Sequence, residues 1–122
     1  MKKLFLIIFC GVMLFSSFGC ASTGKQTTAS TMEENAVLID VRNPDEFKTG
    51  HLNGAINLPQ ADVETMIDRI VPDKETPVYV YCRGGREATM AAEKLQKLGY
   101  STIYNLGAMK DAQKTLGLPV KQ

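Results

Sequence analysis

The chain has little of what metal centres and nucleic-acid surfaces are made of. It contains three cysteines, Cys10, Cys20 and Cys82, at spacings unlike those of zinc sites or dithiol redox motifs, and a single histidine, His51. Its 14 basic and 13 acidic side chains nearly balance, and no basic run or basic patch with interleaved aromatics occurs. We therefore expect no bound metal and no nucleic-acid partner.

The amino terminus has the pattern of an export signal. Lys2 and Lys3 precede an apolar run over residues 4–15, which has the length of the hydrophobic part of a signal peptide. The run is too short to span a bilayer as a helix. Residues 1–19 are therefore predicted to be a signal peptide.

The end of this leader allows two cleavage sites. Gly19 before Cys20 looks like a bacterial lipoprotein signal, in which Cys20 would carry lipid and anchor the chain on the periplasmic face of a membrane. Cleavage after Ala21 would instead release a soluble periplasmic protein. Residues 21–31 contain no large apolar side chain, so we assign residues 20–34 to a flexible tether, which favours lipidation.

Residues 35–122 are predicted to form one α/β domain, since the apolar content suffices for a single core. Apolar runs predict strands at 37–41, 55–58, 78–81 and 102–106. Helical patterns begin at Pro44 and cover 61–71, 86–98 and 107–115, with residues 117–120 as a capping tail. The expected architecture is a small parallel sheet of about four strands with helices on both faces.

The most informative stretch, residues 77–98, joins a buried strand, a cysteine, a glycine-bearing loop and a long helix. Gly84 and Gly85 allow a tight turn, which sets Cys82 between the carboxyl end of the strand and the amino end of the helix. Ligands bind there in open α/β sheets, and the free N–H groups and the helix dipole favour an anion, including a thiolate. The other interpretation is an ordinary buried cysteine, which would not need such a loop.

These features resemble the rhodanese family of sulfurtransferases, and most closely its small exported members of the phage-shock type. The resemblance extends over residues 37–120. It includes residues 39–59, IDVRNPDEFKTGHLNGAINLP, and parts of the closing segment 105–120. It implies a sulfurtransferase that needs no cofactor and acts as a monomer. Its donor would be an anion, thiosulfate or polysulfide, and its acceptor cyanide or a thiol.

The resemblance also implies the roles of the loop residues. Cys82 would attack the sulfane sulfur of the donor, release sulfite and pass the sulfur on from a persulfide. The backbone amides of the loop would hold the anion, and the two arginines would guide the donor. The substrate loop consists of Arg83, Gly84, Gly85, Arg86 and Glu87.

Phosphatases and arsenate reductases also place a thiolate before a helix. Their loops carry five residues between the cysteine and an arginine that binds the oxyanion. Here Ala88 occupies that position, and Arg86 comes only four residues after Cys82. The shorter loop favours a single sulfur atom over a tetrahedral oxyanion.

Glu87 departs from the rhodanese pattern, in which many members carry arginine. A carboxylate there would disfavour an anionic donor, although it could pair with Arg83 or Arg86. The second interpretation is therefore a persulfide carrier or a thiol-bearing binding module at the cell envelope.

Three further side chains are candidates for structural roles. Asp40 and Arg42 could border the pocket, but we expect them to form a structural ion pair. His51 lacks a catalytic partner, so we expect its ring to bond the backbone of its turn rather than to act as a base.

Overall fold

The computed structural model describes residues 32–122, which form six strands and four α-helices. The strands are β1 (Val37–Asp40), β2 (His51–Leu52), β3 (Ile56–Asn57), β4 (Val78–Cys82), β5 (Ile103–Ala108) and β6 (Val120–Lys121). The helices are α1 (Pro44–Thr49), α2 (Val63–Ile70), α3 (Arg86–Lys97) and α4 (Met109–Leu116), with a short 3-10 helix, Gln60–Asp62, before α2. All but β2 and β6 correspond to predicted elements.

Four strands form one parallel sheet in the order β3-β1-β4-β5. The chain passes from β1 outward to β3 and then crosses to β4 on the other side of β1. The connections therefore diverge between β1 and β4, and the carboxyl ends of these two strands border the crevice where such sheets bind ligands. The predicted sheet of four parallel strands is confirmed.

Helices cover both faces of the sheet, as predicted. Successive side chains of β1 and β4 point to opposite sides, so each strand contributes to both faces. One face packs on α2 and α3, with Ile39 and Val80 among its buried side chains. The other face packs on α4 and carries Leu38, Tyr79 and Tyr81. All five residues of β4 are buried, which explains why this strand has a continuous apolar sequence.

A second, two-stranded sheet was missed by the sequence analysis. The tail after α4, predicted only to cap the domain, contributes β6, which pairs antiparallel with β2. Leu52 of β2 is fully buried, and its N–H donates to the Tyr81 hydroxyl at 3.0 Å. Burial raises the pKa of Tyr81 against the opposing effect of this hydrogen bond, so the hydroxyl stays neutral.

Strand β5 is longer than predicted because it contains a bulge. Val80 is opposite Asn105, but Cys82 is opposite Ala108, so β5 accommodates one extra residue. The intervening Gly107 has φ +78°. Helix α4 consequently begins at Met109 and not at Gly107, where the sequence predicted its start.

Asp40 and Arg42 form a buried ion pair where β1 ends. The Arg42 Nη2 atom lies 2.6 Å from Asp40 Oδ2, and Nε donates to both carboxylate oxygens at 3.0 Å. Nη2 also donates to the Gly50 carbonyl at 2.6 Å, which connects β1 to the turn before β2. Hydrogen bonding to Asp40 raises the pKa of Arg42, outweighing burial. The expected structural ion pair is therefore confirmed.

The predicted tether only partly overlaps the described residues. Met32 packs against the α4 face of the core, and the Glu33 N–H donates to the Tyr79 hydroxyl at 3.1 Å. The signal peptide over 1–19, Cys20 and tether residues 20–31 lie outside the described residues. No helix within 32–122 has the length and apolar character that crossing a membrane requires.

Replacing Asp40 with asparagine should lower the free energy of unfolding by about 3 kcal/mol, because Arg42 would keep a buried charge without its counterion. Urea denaturation of the variant and the parent measures this difference. The control is Asp45→Asn, which changes an exposed carboxylate on α1 and should cost well under 1 kcal/mol. Equal effects of the two changes would show that the buried pair contributes little.

Candidate active site

Cys82 ends β4, and its sulfur is surrounded by backbone donors. The residue is 1% exposed. Its Sγ atom accepts hydrogen bonds from the N–H of Gly85 at 2.8 Å and from the N–H of Ala88 at 3.3 Å. Both donors belong to the amino end of α3, where the helix dipole also favours negative charge. The arrangement directs two N–H dipoles and the positive end of the helix dipole at the sulfur.

The loop after Cys82 depends on Gly85 more than on Gly84. Gly85 caps α3 in the left-handed region, with φ +100°. A Cβ atom there would lie 3.6 Å from the Gly107 Cα atom in the bulge of β5, whereas nothing lies within 4 Å of one at Gly84. The turn therefore requires glycine at position 85, and the bulge brings β5 close to the active-site loop.

A pocket of about 580 Å³ opens above the cysteine. It is bounded by the loop, by α1, by the 3-10 helix and by the first turns of α3. Its lining residues are Asn43, Glu46, Gln60, Cys82, Arg83, Gly84, Arg86, Glu87 and Met90. Cys82 and all of the predicted loop residues except Gly85 thus line the pocket, together with four residues that the sequence analysis did not assign to the site.

The charged side chains of this pocket are two arginines and two glutamates. The Nε atom of Arg83 lies 3.2 Å from Glu46 Oε2, with the Arg83 side chain 80% exposed and that of Glu46 27% exposed. The sequence analysis allowed Glu87 to pair with Arg83 or Arg86. In the described chain Glu87 has no ion pair, and Arg83 is paired with Glu46 of α1 instead.

Asp40 and Arg42, considered as a pocket border, are not among the described residues that line the pocket. Their side chains are buried and neutralise each other in an ion pair.

The sequence analysis missed the contribution of Ala88, whose backbone N–H donates to the Cys82 sulfur although Ala88 follows the predicted loop. It could have been found from its place in the first turn of α3, where backbone N–H groups have no partner within the helix.

Met90 and Gln60 reach the pocket for different reasons. Met90 lies one helical turn after Arg86 and Glu87 on α3, a spacing that puts the three on one side of the helix. Its side chain is 42% exposed and gives the pocket an apolar edge. Gln60 precedes α2, and its carbonyl accepts from Lys94 Nζ of α3 at 3.2 Å. No local sequence signal marks Gln60.

His51 lies outside the pocket lining and bonds the backbone, as predicted. Its Nδ1 atom is 2.9 Å from the Phe47 carbonyl oxygen, so the ring donates from Nδ1. The ring also stacks on Phe47, with centroids 3.7 Å apart and planes 7° from parallel. Through these contacts the last turn of α1 packs against the first residue of β2.

No three side chains of histidine, cysteine, aspartate or glutamate within residues 32–122 are grouped so as to hold a metal ion. The chemistry available in the described pocket is that of the cysteine, the loop amides and the charged side chains.

The fold is a parallel α/β sheet in which one strand ends in a cysteine, and the sulfur of that cysteine accepts hydrogen bonds from two amides at a helix amino end. The family model for the rhodanese-like domain matches residues 25–114, and the chain belongs to that family.

Relatives of known sequence and structure agree with this assignment. The chain is 44% identical over 73 residues to the thiosulfate sulfurtransferase PspE of Escherichia coli strain K12, a match that covers 60% of this chain and 70% of PspE. It is 36% identical over 107 residues to the uncharacterized protein YqhL of Bacillus subtilis strain 168, covering 83% of each. A solved structure described as a rhodanese with anions from E. coli is 38% identical, with a TM-score of 0.66, over 71% of this chain and 98% of that chain.

Replacing His51 with asparagine should lower the free energy of unfolding by about 1 kcal/mol, because the ring stacking on Phe47 is lost while the asparagine amide can still donate to the Phe47 carbonyl. Sulfur transfer per folded molecule should change little, since His51 does not line the pocket. Thermal melting and turnover, measured on the same preparation, test the two statements. A large loss of turnover at an unchanged melting temperature would contradict the structural role.

Proposed function

We propose that this protein is a thiosulfate sulfurtransferase that carries sulfur on Cys82. The observation that supports the proposal most directly is the pair of hydrogen bonds from Gly85 and Ala88 to the Cys82 sulfur. Donors fixed by the backbone need not reorganise when negative charge develops on Sγ, so they favour the thiolate both as the attacking nucleophile and as the group released when the persulfide is discharged.

The reaction has two displacements. The Cys82 thiolate attacks the sulfane sulfur of thiosulfate; a new S–S bond forms, and the old S–S bond breaks as sulfite leaves with its electron pair. Cyanide, or the thiolate of an acceptor, then attacks the outer persulfide sulfur. Thiocyanate or an acceptor persulfide leaves, and the Cys82 thiolate is restored. Atoms and electrons balance without an added oxidant or cofactor.

The pocket suits these steps in its shape and in part in its charge. About 580 Å³ is more than a thiosulfate ion needs, so an acceptor thiol can approach the same sulfur. Arg86, at the start of α3, supplies positive charge beside the loop, and the amino end of the helix adds to it. The name of PspE, a thiosulfate sulfurtransferase, supports this choice of donor.

A persulfide carrier is the second candidate, and the acidic residues of the pocket favour it. Glu46 and Glu87 offset the charge of the two arginines, so the lining attracts a small dianion less than the loop alone would. In this version the same Cys82 receives sulfur from polysulfide or from a persulfide on a partner protein, without efficient turnover of thiosulfate.

We also propose that the domain acts outside the cytoplasm. The leader pattern over residues 1–19 supports export, and Cys20 supports a lipid anchor on the periplasmic face of a membrane. Cleavage after Ala21 would give a soluble periplasmic form of the same domain, which we take to be a monomer.

Thiosulfate should add one sulfur atom to the chain that begins at Ser22, in which Cys82 is the single cysteine. Intact-mass spectrometry before and after thiosulfate measures the gain, and cyanide should remove it as thiocyanate. The Cys82→Ser variant should gain nothing and keep its fold. Sulfur gained by the variant would disprove the role of Cys82, and a gain from polysulfide but not from thiosulfate would favour the carrier.

Replacing Glu87 with arginine should lower the KM for thiosulfate at least about threefold, because it reverses an exposed charge in the pocket lining. Steady-state kinetics at low ionic strength measure the effect. The matched control is Glu93→Arg, an exposed residue of the same helix outside this pocket lining. A KM that is unchanged, or lowered equally by the control, would show that Glu87 does not control donor binding.

A further inference from the structure

The acidic residue that offsets Arg83 comes from a different part of the chain than the active-site loop. Glu46 belongs to α1, which follows β1, whereas Arg83 directly follows the catalytic cysteine at the end of β4. The two meet because β1 and β4 are neighbours in the sheet. Their contact, 3.2 Å between Nε and Oε2, links the loop to α1 at one side of the pocket.

The two residues of this ion pair differ in how much of each side chain is exposed to solvent. The backbone N–H of Glu46 is capped by Asn43 Oδ1 at 2.9 Å, and its side chain is 27% exposed. Helix α1 is fixed at its far end through Gly50, whose carbonyl accepts from Arg42. Arg83, in contrast, is 80% exposed and follows the strand into the loop. Glu46 is therefore the more buried member of the pair, and it lies on a helix held at both ends.

No second cation in the described chain forms an ion pair with Glu46. The Arg42 guanidinium interacts electrostatically with the Glu46 carboxylate, but Arg42 is already paired with Asp40 and donates to the Gly50 carbonyl. The ion pair that Glu46 makes in the described chain is the one with Arg83. An anionic substrate that binds through Arg83 therefore meets a guanidinium whose charge is partly offset by the Glu46 carboxylate.

We propose that Glu46 is a specificity-determining residue that acts by positioning and neutralising Arg83. While Arg83 is paired with Glu46 at one side of the pocket, Arg86 is the one of the two arginines left without an ion pair in the described chain. The pocket then binds small dianions such as thiosulfate less tightly than it would with both arginines unpaired, whereas donors of lower charge, such as an alkyl persulfide, are affected less. The choice of substrates rests on the proposed sulfur transfer; the electrostatic role of Glu46 at Cys82 does not.

The test replaces Glu46 with glutamine in the full chain. Asp45→Asn is the matched control, because it removes the same charge from the neighbouring exposed position of α1, outside the pocket lining. Arg83→Gln and the Arg83→Gln, Glu46→Gln double variant show whether the effect passes through Arg83. Two measurements are made at low ionic strength: kcat and KM for thiosulfate, and the rates at which iodoacetate and iodoacetamide alkylate Cys82, followed on its peptide by mass spectrometry.

The Glu46→Gln change should lower the KM for thiosulfate about two- to fivefold with kcat little changed, the range expected for releasing one exposed ion pair. It should raise the ratio of iodoacetate to iodoacetamide alkylation by a similar factor, because only the first reagent is an anion. Both effects should exceed those of Asp45→Asn and should vanish in the Arg83→Gln background. Comparing two reagents of similar size separates charge from a general loosening of the site, which would speed both reactions.

Effects no larger than those of Asp45→Asn, or effects that persist without Arg83, would overturn the proposal. A change in the alkylation ratio in a protein that takes no sulfur from thiosulfate would support the role of Glu46 and reject the thiosulfate reaction. The two proposals therefore fail separately.

Discussion

The site depends on one strand that is covered on both faces. β4 lies between β1 and β5 in the sheet and between helices above and below it, and all five of its residues are buried. Its last residue, Cys82, is therefore held in a fixed place relative to the core. Helix α3 packs back on the same strand through Ala88 and Leu95, so the amides at its amino end are directed at the sulfur. The packing that buries β4 therefore also positions the backbone donors around the Cys82 sulfur.

The elements around β4 could be predicted because their signals are local. The apolar run of β4 and the helical spacing of α3 each lie within one short segment, and both were predicted at nearly the observed positions. The pair β2 and β6 could not be predicted, because each strand has two residues and its partner comes from the other end of the domain. A two-residue strand has no periodicity to detect.

The same distinction separates the predicted from the missed site residues. Cys82 and its loop are contiguous, so their proximity required no knowledge of the topology. Glu46 and Gln60 reach the pocket only because β1 is next to β4 and the 3-10 helix lies by α3, which no spacing in the sequence reveals. Asp40 and Arg42, considered for the pocket border because they stand at a strand end, do not line the pocket, since their side chains are buried in an ion pair with each other. A polar pair at a strand end is equally compatible with both outcomes.

The contacts of Met32 and Glu33 with the core have a consequence for how the domain can be attached to something larger. The chain reaches β1 at the edge of the sheet where the strands start, and Glu33 is held there by Tyr79. Cys82 is at the opposite edge, where the strands end. A fusion partner or a solid support joined ahead of residue 32 is therefore attached at the end of the domain opposite to the pocket.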